Sequence, residues 1–220
     1  HGRLREEFQA HNQEIVTAKV SRVDPETKDA IVEIGKAQEP LFRSEQIPNE
    51  TLLPGMLIKV YIAGVADGKE GRRGPRVTIS RTHPGLVKRL FESEVPEIYD
   101  GTVEIKAVSR EAGSRTKIAV YSADENVDAV GACIGPRGAR VGKIVDMLYG
   151  EKIDIVKYSD DPKEFIAASL APADVISVTV DENAEKSCRV IVPDLQLSLA
   201  IGNKGQNARL AAKLTGWKID

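Results

Sequence analysis

Ile134-Gly135-Pro136-Arg137-Gly138 and Ile201-Gly202-Asn203-Lys204-Gly205 share one pattern, Ile-Gly-x-x-Gly with a basic residue before the second glycine. Their flanks match as well, because residues 148–154 (Leu-Tyr-Gly-Glu-Lys-Ile-Asp) correspond to residues 214–220 (Leu-Thr-Gly-Trp-Lys-Ile-Asp). A lone Gly-x-x-Gly is a weak signal. A duplicated loop inside duplicated flanks predicts two copies of one structural unit.

Each loop lies between two helical patterns, an arrangement suited to gripping a nucleic-acid backbone. Glycine leaves no Cβ on the loop surface, so a sugar-phosphate chain can approach the main chain closely. The following helix offers free N–H groups and the positive end of its dipole, and Arg137 and Lys204 each add a cation. This is the device of KH domains, whose loop clamps about four nucleotides. A tight helix–helix turn without a ligand is the alternative, but two copies with a cation in each favour RNA or single-stranded DNA.

The predicted contacts include the residues that flank the glycines. Arg140 and Asn207 follow the loops, where they either reach phosphate and base edges or form an ordinary solvated helix end. Ile134 and Ile201 either form an apolar floor beneath a base or belong to the core, and Trp217 either stacks on a base or packs inside. The RNA-binding candidates are Ile134, Gly135, Pro136, Arg137, Gly138, Arg140, Ile201, Gly202, Asn203, Lys204, Gly205 and Asn207.

Composition excludes several other classes of function. The 220 residues carry a net charge of −2 and contain no apolar run of membrane-spanning length or signal segment. Cys133 and Cys188 are too far apart for a metal site, and the histidines form no cluster. We find no nucleophile–base pattern and no phosphate loop. We therefore expect a cytoplasmic, monomeric protein with no catalytic residue, cofactor, metal or membrane contact.

The N-terminal third of the sequence predicts a small β-barrel. Alternating residues from Ile15 begin a strand, and further short strands follow at residues 30–34, 40–42, 57–62 and 76–80. Five short strands in under 70 residues indicate an all-β, OB-type barrel. A glycine- and arginine-rich loop over residues 64–75 precedes the last strand. Its neighbourhood contains the auxiliary RNA-binding candidates Arg72, Arg73 and Arg76.

After the barrel, one order of elements occurs twice: helix, strand, strand, helix, loop, helix, strand. This order, together with the two loops, predicts two α+β KH domains. We place the barrel domain at residues 14–81, the first KH domain at 82–158 and the second at 159–220, with its last strand truncated. The chain begins with His1 and not Met, so we expect a fragment of a longer protein.

Four stretches resemble the NusA family of bacterial transcription factors: residues 80–84 (Ser-Arg-Thr-His-Pro), 91–98 (Phe-Glu-Ser-Glu-Val-Pro-Glu-Ile), 131–138 (Gly-Ala-Cys-Ile-Gly-Pro-Arg-Gly) and 150–155 (Gly-Glu-Lys-Ile-Asp-Ile). The resemblance implies a barrel related to ribosomal protein S-one and two KH domains of the prokaryotic type (type II), packed as one rigid RNA-binding array. It also implies contact with the nascent transcript in pausing, termination and antitermination. It makes residues 1–13 the trailing helix of an N-terminal domain that binds RNA polymerase, and it adds other antitermination factors as partners.

Two alternatives compete with this interpretation. An RNA-processing enzyme such as polynucleotide phosphorylase also carries KH and barrel modules, but in the reverse order and with a large catalytic core. A dinucleotide-binding enzyme would need Gly-x-Gly-x-x-Gly after the first strand of a βαβ unit, and the glycines at 131, 135 and 138 do not have that spacing.

Overall fold

The computed structural model describes residues 12–66 and 76–220, without the side chain of Arg76. The chain divides into two compact units, with the boundary between Leu90 and Phe91. The helix expected near residues 3–11 lies outside the described residues, as does most of the expected loop over residues 64–75.

The first unit contains a nearly closed, five-stranded antiparallel barrel, as predicted. The strand order is β3-β2-β1-β4-β5, and β3 and β5 also approach each other. In β1, buried Ala18 and Val20 alternate with exposed Thr17 and Lys19, the period of a strand with one face on a core. The strands are β1 (Ile15–Val23), β2 (Ala30–Ile34), β3 (Ala37–Leu41), β4 (Leu57–Ala66) and β5 (Arg76–Ser80).

Strand bounds differ from the sequence prediction mainly at β3 and β4. The strand expected at residues 40–42 spans Ala37–Leu41, because Phe42 leaves the sheet and caps a 3-10 turn over Arg43–Glu45. β4 continues to Ala66, into the stretch expected to be loop. The two aromatic residues of the barrel differ in burial: Tyr61 is buried and stacks on His83, whereas Phe42 is 51% exposed.

The first KH domain forms a three-stranded sheet with the order β6-β7-β8. β6 and β7 are antiparallel, and β8 runs parallel to β7. The predicted apolar stripe after the loop buries Ile144 and Leu148 completely. The elements are α1 (Pro84–Glu94), α2 (Pro96–Tyr99), β6 (Val103–Glu111), β7 (Arg115–Ser122), α3 (Ala129–Ile134), α4 (Ala139–Met147) and β8 (Lys152–Lys157).

The second KH domain repeats this topology. β9 and β10 are antiparallel, and β11 runs parallel to β10. The third strand, expected to be truncated, is present over two residues where β8 has six. The elements are α5 (Pro162–Ser169), β9 (Ser177–Val180), β10 (Ser187–Ile191), α6 (Leu197–Ile201), α7 (Gln206–Thr215) and β11 (Lys218–Ile219).

Helices of the second KH domain pack on the sheet of the first. Ala119 and Val156 from that sheet form one hydrophobic cluster with Phe165 of α5 and Leu214 of α7. The buried Ser109 hydroxyl of β6 also donates a 2.9 Å hydrogen bond to the Leu210 carbonyl. The two domains therefore share a core, which positions both loops on one body.

Candidate nucleic-acid interface

The two Gly-x-x-Gly loops have the same backbone conformation. The first glycines, Gly135 and Gly202, have φ/ψ of 76/171° and 81/170°. The second glycines, Gly138 and Gly205, are left-handed at 74/16° and 75/11°. The cations before them are also left-handed, with φ/ψ of 56/28° at Arg137 and 55/29° at Lys204. Such a conformation costs a residue with a Cβ about 1–2 kcal/mol, so its occurrence in both loops points to function.

Local hydrogen bonds explain why the chain turns at these positions. The N–H of Gly135 donates a 3.0 Å hydrogen bond to the Gly131 carbonyl, where α3 ends. In the same way, the N–H of Gly202 donates a 2.8 Å hydrogen bond to the Ser198 carbonyl, where α6 ends. Each loop then makes one 3-10 turn, closed by the N–H of its second glycine on the carbonyl of its first at 3.1 Å. The next helix starts immediately, with a glycine as its N-cap.

Glycine occupies the two positions of each loop for different structural reasons. A Cβ on Gly135 would lie 2.5 Å from Arg140 Cγ, and one on Gly202 would lie 2.6 Å from the backbone nitrogen of Asn207. A Cβ on Gly138 would meet nothing within 4 Å. The first glycine thus lets the loop close onto the following helix, and the second leaves an open surface where a sugar-phosphate chain can approach.

The loop tips are open and positively charged. Pro136, Arg137, Asn203 and Lys204 are exposed. Within the described part of the chain, neither the Arg137 guanidinium nor the Lys204 ammonium has an ion-pair partner. No side chain caps α4 or α7, and the first N–H of each helix, that of Ala139 or Gln206, donates to the carbonyl of Pro136 or Asn203 within the loop. Each loop therefore offers a cation and the positive end of a helix dipole to an anion.

Arg140 corrects one sequence prediction, that of an ordinary solvated helix end, because its side chain is engaged within the protein. Its Nη1 donates to the Ala132 carbonyl at 2.7 Å and forms an ion pair with the Glu97 carboxylate at 3.0 Å. The guanidinium therefore joins α3, ahead of the loop, to α2. The predicted contact between Arg140 and RNA stays a prediction.

Asn207 corrects a second prediction, because it is only 1% exposed. Its Nδ2 donates hydrogen bonds to the carbonyls of Leu170 and Ala200, each at 3.0 Å. Both amide hydrogens are thus used inside the protein and are inaccessible to RNA. The sequence alone gives no partner for Arg140 or Asn207, although aligning the copies puts both residues five positions after the first glycine.

The remaining candidates divide into exposed and undescribed residues. Ile134 and Ile201 are 38% and 45% exposed beside the loops, so both are accessible to a base. Trp217 is half-buried. Arg72 and Arg73 lie outside the described residues, and the side chain of Arg76 is not described.

Other kinds of site find no support in the described residues. No group of three or more His, Cys, Asp or Glu side chains is placed to hold a metal there. Burial raises the pKa of the Cys133 thiol to about 12 and also raises the pKa of the Cys188 thiol. Over the same residues, no helix has the length and apolar character needed to cross a bilayer.

These features define a tandem KH protein with an OB-type barrel ahead of the KH pair. Family models agree: the NusA-like first KH domain matches residues 81–158, and the NusA-like second KH domain matches residues 162–220. The chain belongs to the NusA family.

Three relatives with similar sequences are each named transcription termination/antitermination protein NusA. The chain is 56% identical over 219 residues to that of Bacillus subtilis, covering 100% of the chain and 57% of the relative. Identity with the Mycobacterium tuberculosis protein is 50% over 220 residues, covering 97% of the chain and 62% of the relative. Identity with the Thermus thermophilus protein is 46% over 217 residues, covering 99% of the chain and 55% of the relative. The chain thus spans little more than half the length of these relatives.

Proposed function

We propose that this chain is the RNA-binding platform of a transcription termination and antitermination factor, and that it grips the nascent single-stranded transcript with its two Gly-x-x-Gly loops. The observation that carries the proposal is the loop geometry. The same strained conformation occurs twice, each time with an exposed, unpaired cation next to an uncapped helix N-terminus. Such a site binds a phosphate backbone without needing a particular base.

The shared core of the KH domains supports joint binding to one continuous strand. Because α5 and α7 pack on the first sheet, the second loop is held at a set distance from the first. At about four nucleotides per loop, full affinity requires roughly eight or more nucleotides. Binding at one loop then raises the effective concentration of RNA at the other.

The barrel contributes less to the affinity than the KH domains do. Barrels that bind single strands stack bases on exposed aromatic side chains, at roughly 1–3 kcal/mol per base. Here Tyr61 is buried, which leaves Phe42 as the exposed aromatic side chain of the described barrel residues. Arg72, Arg73 and Arg76 add a salt-sensitive attraction to the backbone that does not read sequence.

The proposal extends to the partners, and the support is that the relatives are named transcription termination/antitermination proteins. The chain is non-catalytic and works as a monomer in the cytoplasm. The complete factor binds RNA polymerase mainly through a domain ahead of residue 13, and it binds other antitermination factors. The accessory module of an RNA-processing enzyme is not favoured, because the relatives are NusA proteins across the full chain.

Fluorescence titration with random single-stranded RNA, duplex RNA and single-stranded DNA tests the proposal. Single-stranded RNA is expected to bind tightest, and duplex RNA weakest, because an A-form duplex does not fit a single-strand clamp. Equal binding of duplex and single strand, unaffected by loop mutation, would contradict the proposed function.

A further inference from the structure

Arg140 and Asn207 occupy the same place in the two copies but carry different chemistry. Each follows the first loop glycine by five residues, in the first turn of the helix after the loop. The loop closes directly onto this position, since a Cβ on Gly135 or Gly202 would collide with it.

In the first copy the connection is ionic and half-exposed. Arg140 joins the Ala132 carbonyl, on the helix ahead of the loop, to the Glu97 carboxylate of α2. The side chains of Arg140 and Glu97 are 28% and 29% exposed. One guanidinium thereby connects the helix before the loop, the helix after it and the helical start of the domain.

In the second copy the connection is neutral and buried. The Asn207 amide joins the Ala200 carbonyl, ahead of the loop, to the Leu170 carbonyl at the end of α5. Because both partners are carbonyl oxygens, the group that faces them must be the NH₂. The same three parts of the domain are connected as in the first copy.

We propose that Arg140, together with Glu97, and Asn207 are positioning residues for RNA binding. Each holds its loop in the binding conformation without touching RNA. This inference rests on the proposed function of the loops. Its physical basis is that a left-handed cation persists only where the surroundings enforce it, and that a preformed loop loses less entropy when RNA binds.

The ion pair of the first copy provides the sharper test. RNA affinity is measured over a range of salt concentrations for Glu97→Gln, Arg140→Lys and, as the matched contact control, Arg137→Gln. A phosphate contact contributes about 0.7 to the slope of log K against log salt for single strands, so the control should lose about that much. Glu97→Gln and Arg140→Lys should weaken binding by about 1.5-fold to fivefold with the slope unchanged.

A direct contact between Arg140 and RNA would give the opposite pattern. Arg140→Lys would then keep most of the affinity, because the charge remains. Glu97→Gln would bind RNA as tightly as the parent or more tightly, because a competing carboxylate is gone. Either result overturns the inference for the first copy.

For the second copy the test is Asn207→Ala, read by RNA affinity and by amide hydrogen exchange of Gly205 in the RNA-free protein. We expect weaker binding and faster exchange at Gly205, with Gly138 unaffected. Glu97→Gln should show the reverse, with faster exchange at Gly138 alone. Unchanged affinity and exchange in a folded Asn207→Ala protein would refute the role of Asn207. If that variant unfolds, the first-copy variants decide the proposal.

Failure of this inference is distinguishable from failure of the proposed function. Asp-Asp at Pro136-Arg137 and at Asn203-Lys204 tests the loops themselves. If those changes leave RNA binding intact, the proposed function is wrong. If they abolish binding while Glu97→Gln, Arg140→Lys and Asn207→Ala bind normally, only the positioning role is wrong.

Discussion

The two KH domains have superimposable loop conformations but different supports. The first loop is held within its own domain by Arg140 and Glu97. The second is held by buried Asn207 and by Arg209, whose Nη1 donates to the Lys204 carbonyl while its guanidinium pairs with Glu111 of the first domain. The loop that we propose to face RNA therefore has the same conformation in both copies, whereas the contacts that support it differ.

The cation is left-handed in both copies, although an ion pair supports one loop and a neutral amide supports the other. Under the proposed function, the duplicated role constrains the loop conformation and not the contacts that support it. The difference in support also makes the second loop depend on the first domain. Lys117 of β7 is buried and donates to the Ala171 carbonyl at 2.7 Å, next to the Leu170 carbonyl that Asn207 uses.

The largest expected effect comes from reversing the charge of the loops. Asp-Asp at Pro136-Arg137 and at Asn203-Lys204 replaces cations with carboxylates at the proposed phosphate sites. Each charge-assisted contact is worth about 1.5–3 kcal/mol, so each loop change should weaken RNA binding by about tenfold or more, and both together by about a hundredfold or more. Fluorescence anisotropy measures the effect, with exposed Lys163→Asp as a charge control.

The melting curves of these loop variants should match the parent, because all four positions are exposed. Full RNA affinity in the double-loop variant would show that neither loop is an RNA clamp, and the comparison of the two loops would lose its functional meaning.

Glycine substitutions should separate the two copies. All loop glycines have positive φ, so alanine costs about 1–2 kcal/mol of stability at any of them. At Gly202 the nearest atom to the new Cβ is the backbone nitrogen of Asn207, whereas at Gly135 the three nearest atoms all belong to the side chain of Arg140. We expect Gly202→Ala to destabilise most, by about 3 kcal/mol in total, followed by Gly135→Ala and then Gly138→Ala. Urea unfolding measures this order, and equal costs at Gly135 and Gly202 would contradict it.

The contacts between the KH domains should differ in strength. Lys117→Met removes a buried ammonium that bridges the Asp154 carboxylate at 2.9 Å and the Ala171 carbonyl, while Asp154 keeps its pair with Arg115. We expect a loss of about 1–3 kcal/mol. Arg209→Gln breaks a partly exposed pair with Glu111 and should cost about 1 kcal/mol or less. Urea unfolding of both variants tests the order, and a larger cost at Arg209 would reverse it.

The smallest expected effect is on the stability of the fold at acidic pH. Burial raises the pKa of Asp154, but hydrogen bonds and charge from Arg115 and Lys117 outweigh it, so the pKa is lowered. A lowered carboxyl pKa stabilises the fold above its unfolded value of about 3.9, and this is lost as pH falls through the folded pKa. The parent should thus lose more stability than Lys117→Met between pH 5 and pH 3 in urea unfolding. An equal loss would show that Lys117 does not act on Asp154.

The features that the sequence predicted have a regular or duplicated pattern, whereas contacts between residues distant in sequence were not predicted. Alternation and the duplicated flanks were enough for the barrel, the order of KH elements and the position of both loops. The role of Arg140 was not predictable, because its partner Glu97 is 43 residues away in sequence. Burial of Asn207 was also hidden, since a polar residue in a first helical turn is usually solvated and only tertiary packing placed carbonyls beside it.

The most direct test of the central claim is a length series of single-stranded RNA oligomers of about 4, 8 and 12 nucleotides, titrated against the parent and against each single-loop Asp-Asp variant. If two equivalent loops on one body grip one strand, parent affinity should rise steeply between 4 and 8–12 nucleotides, and either single-loop variant should lose that rise. Full affinity on the 4-nucleotide oligomer, or a length dependence that survives in both variants, would contradict the claim.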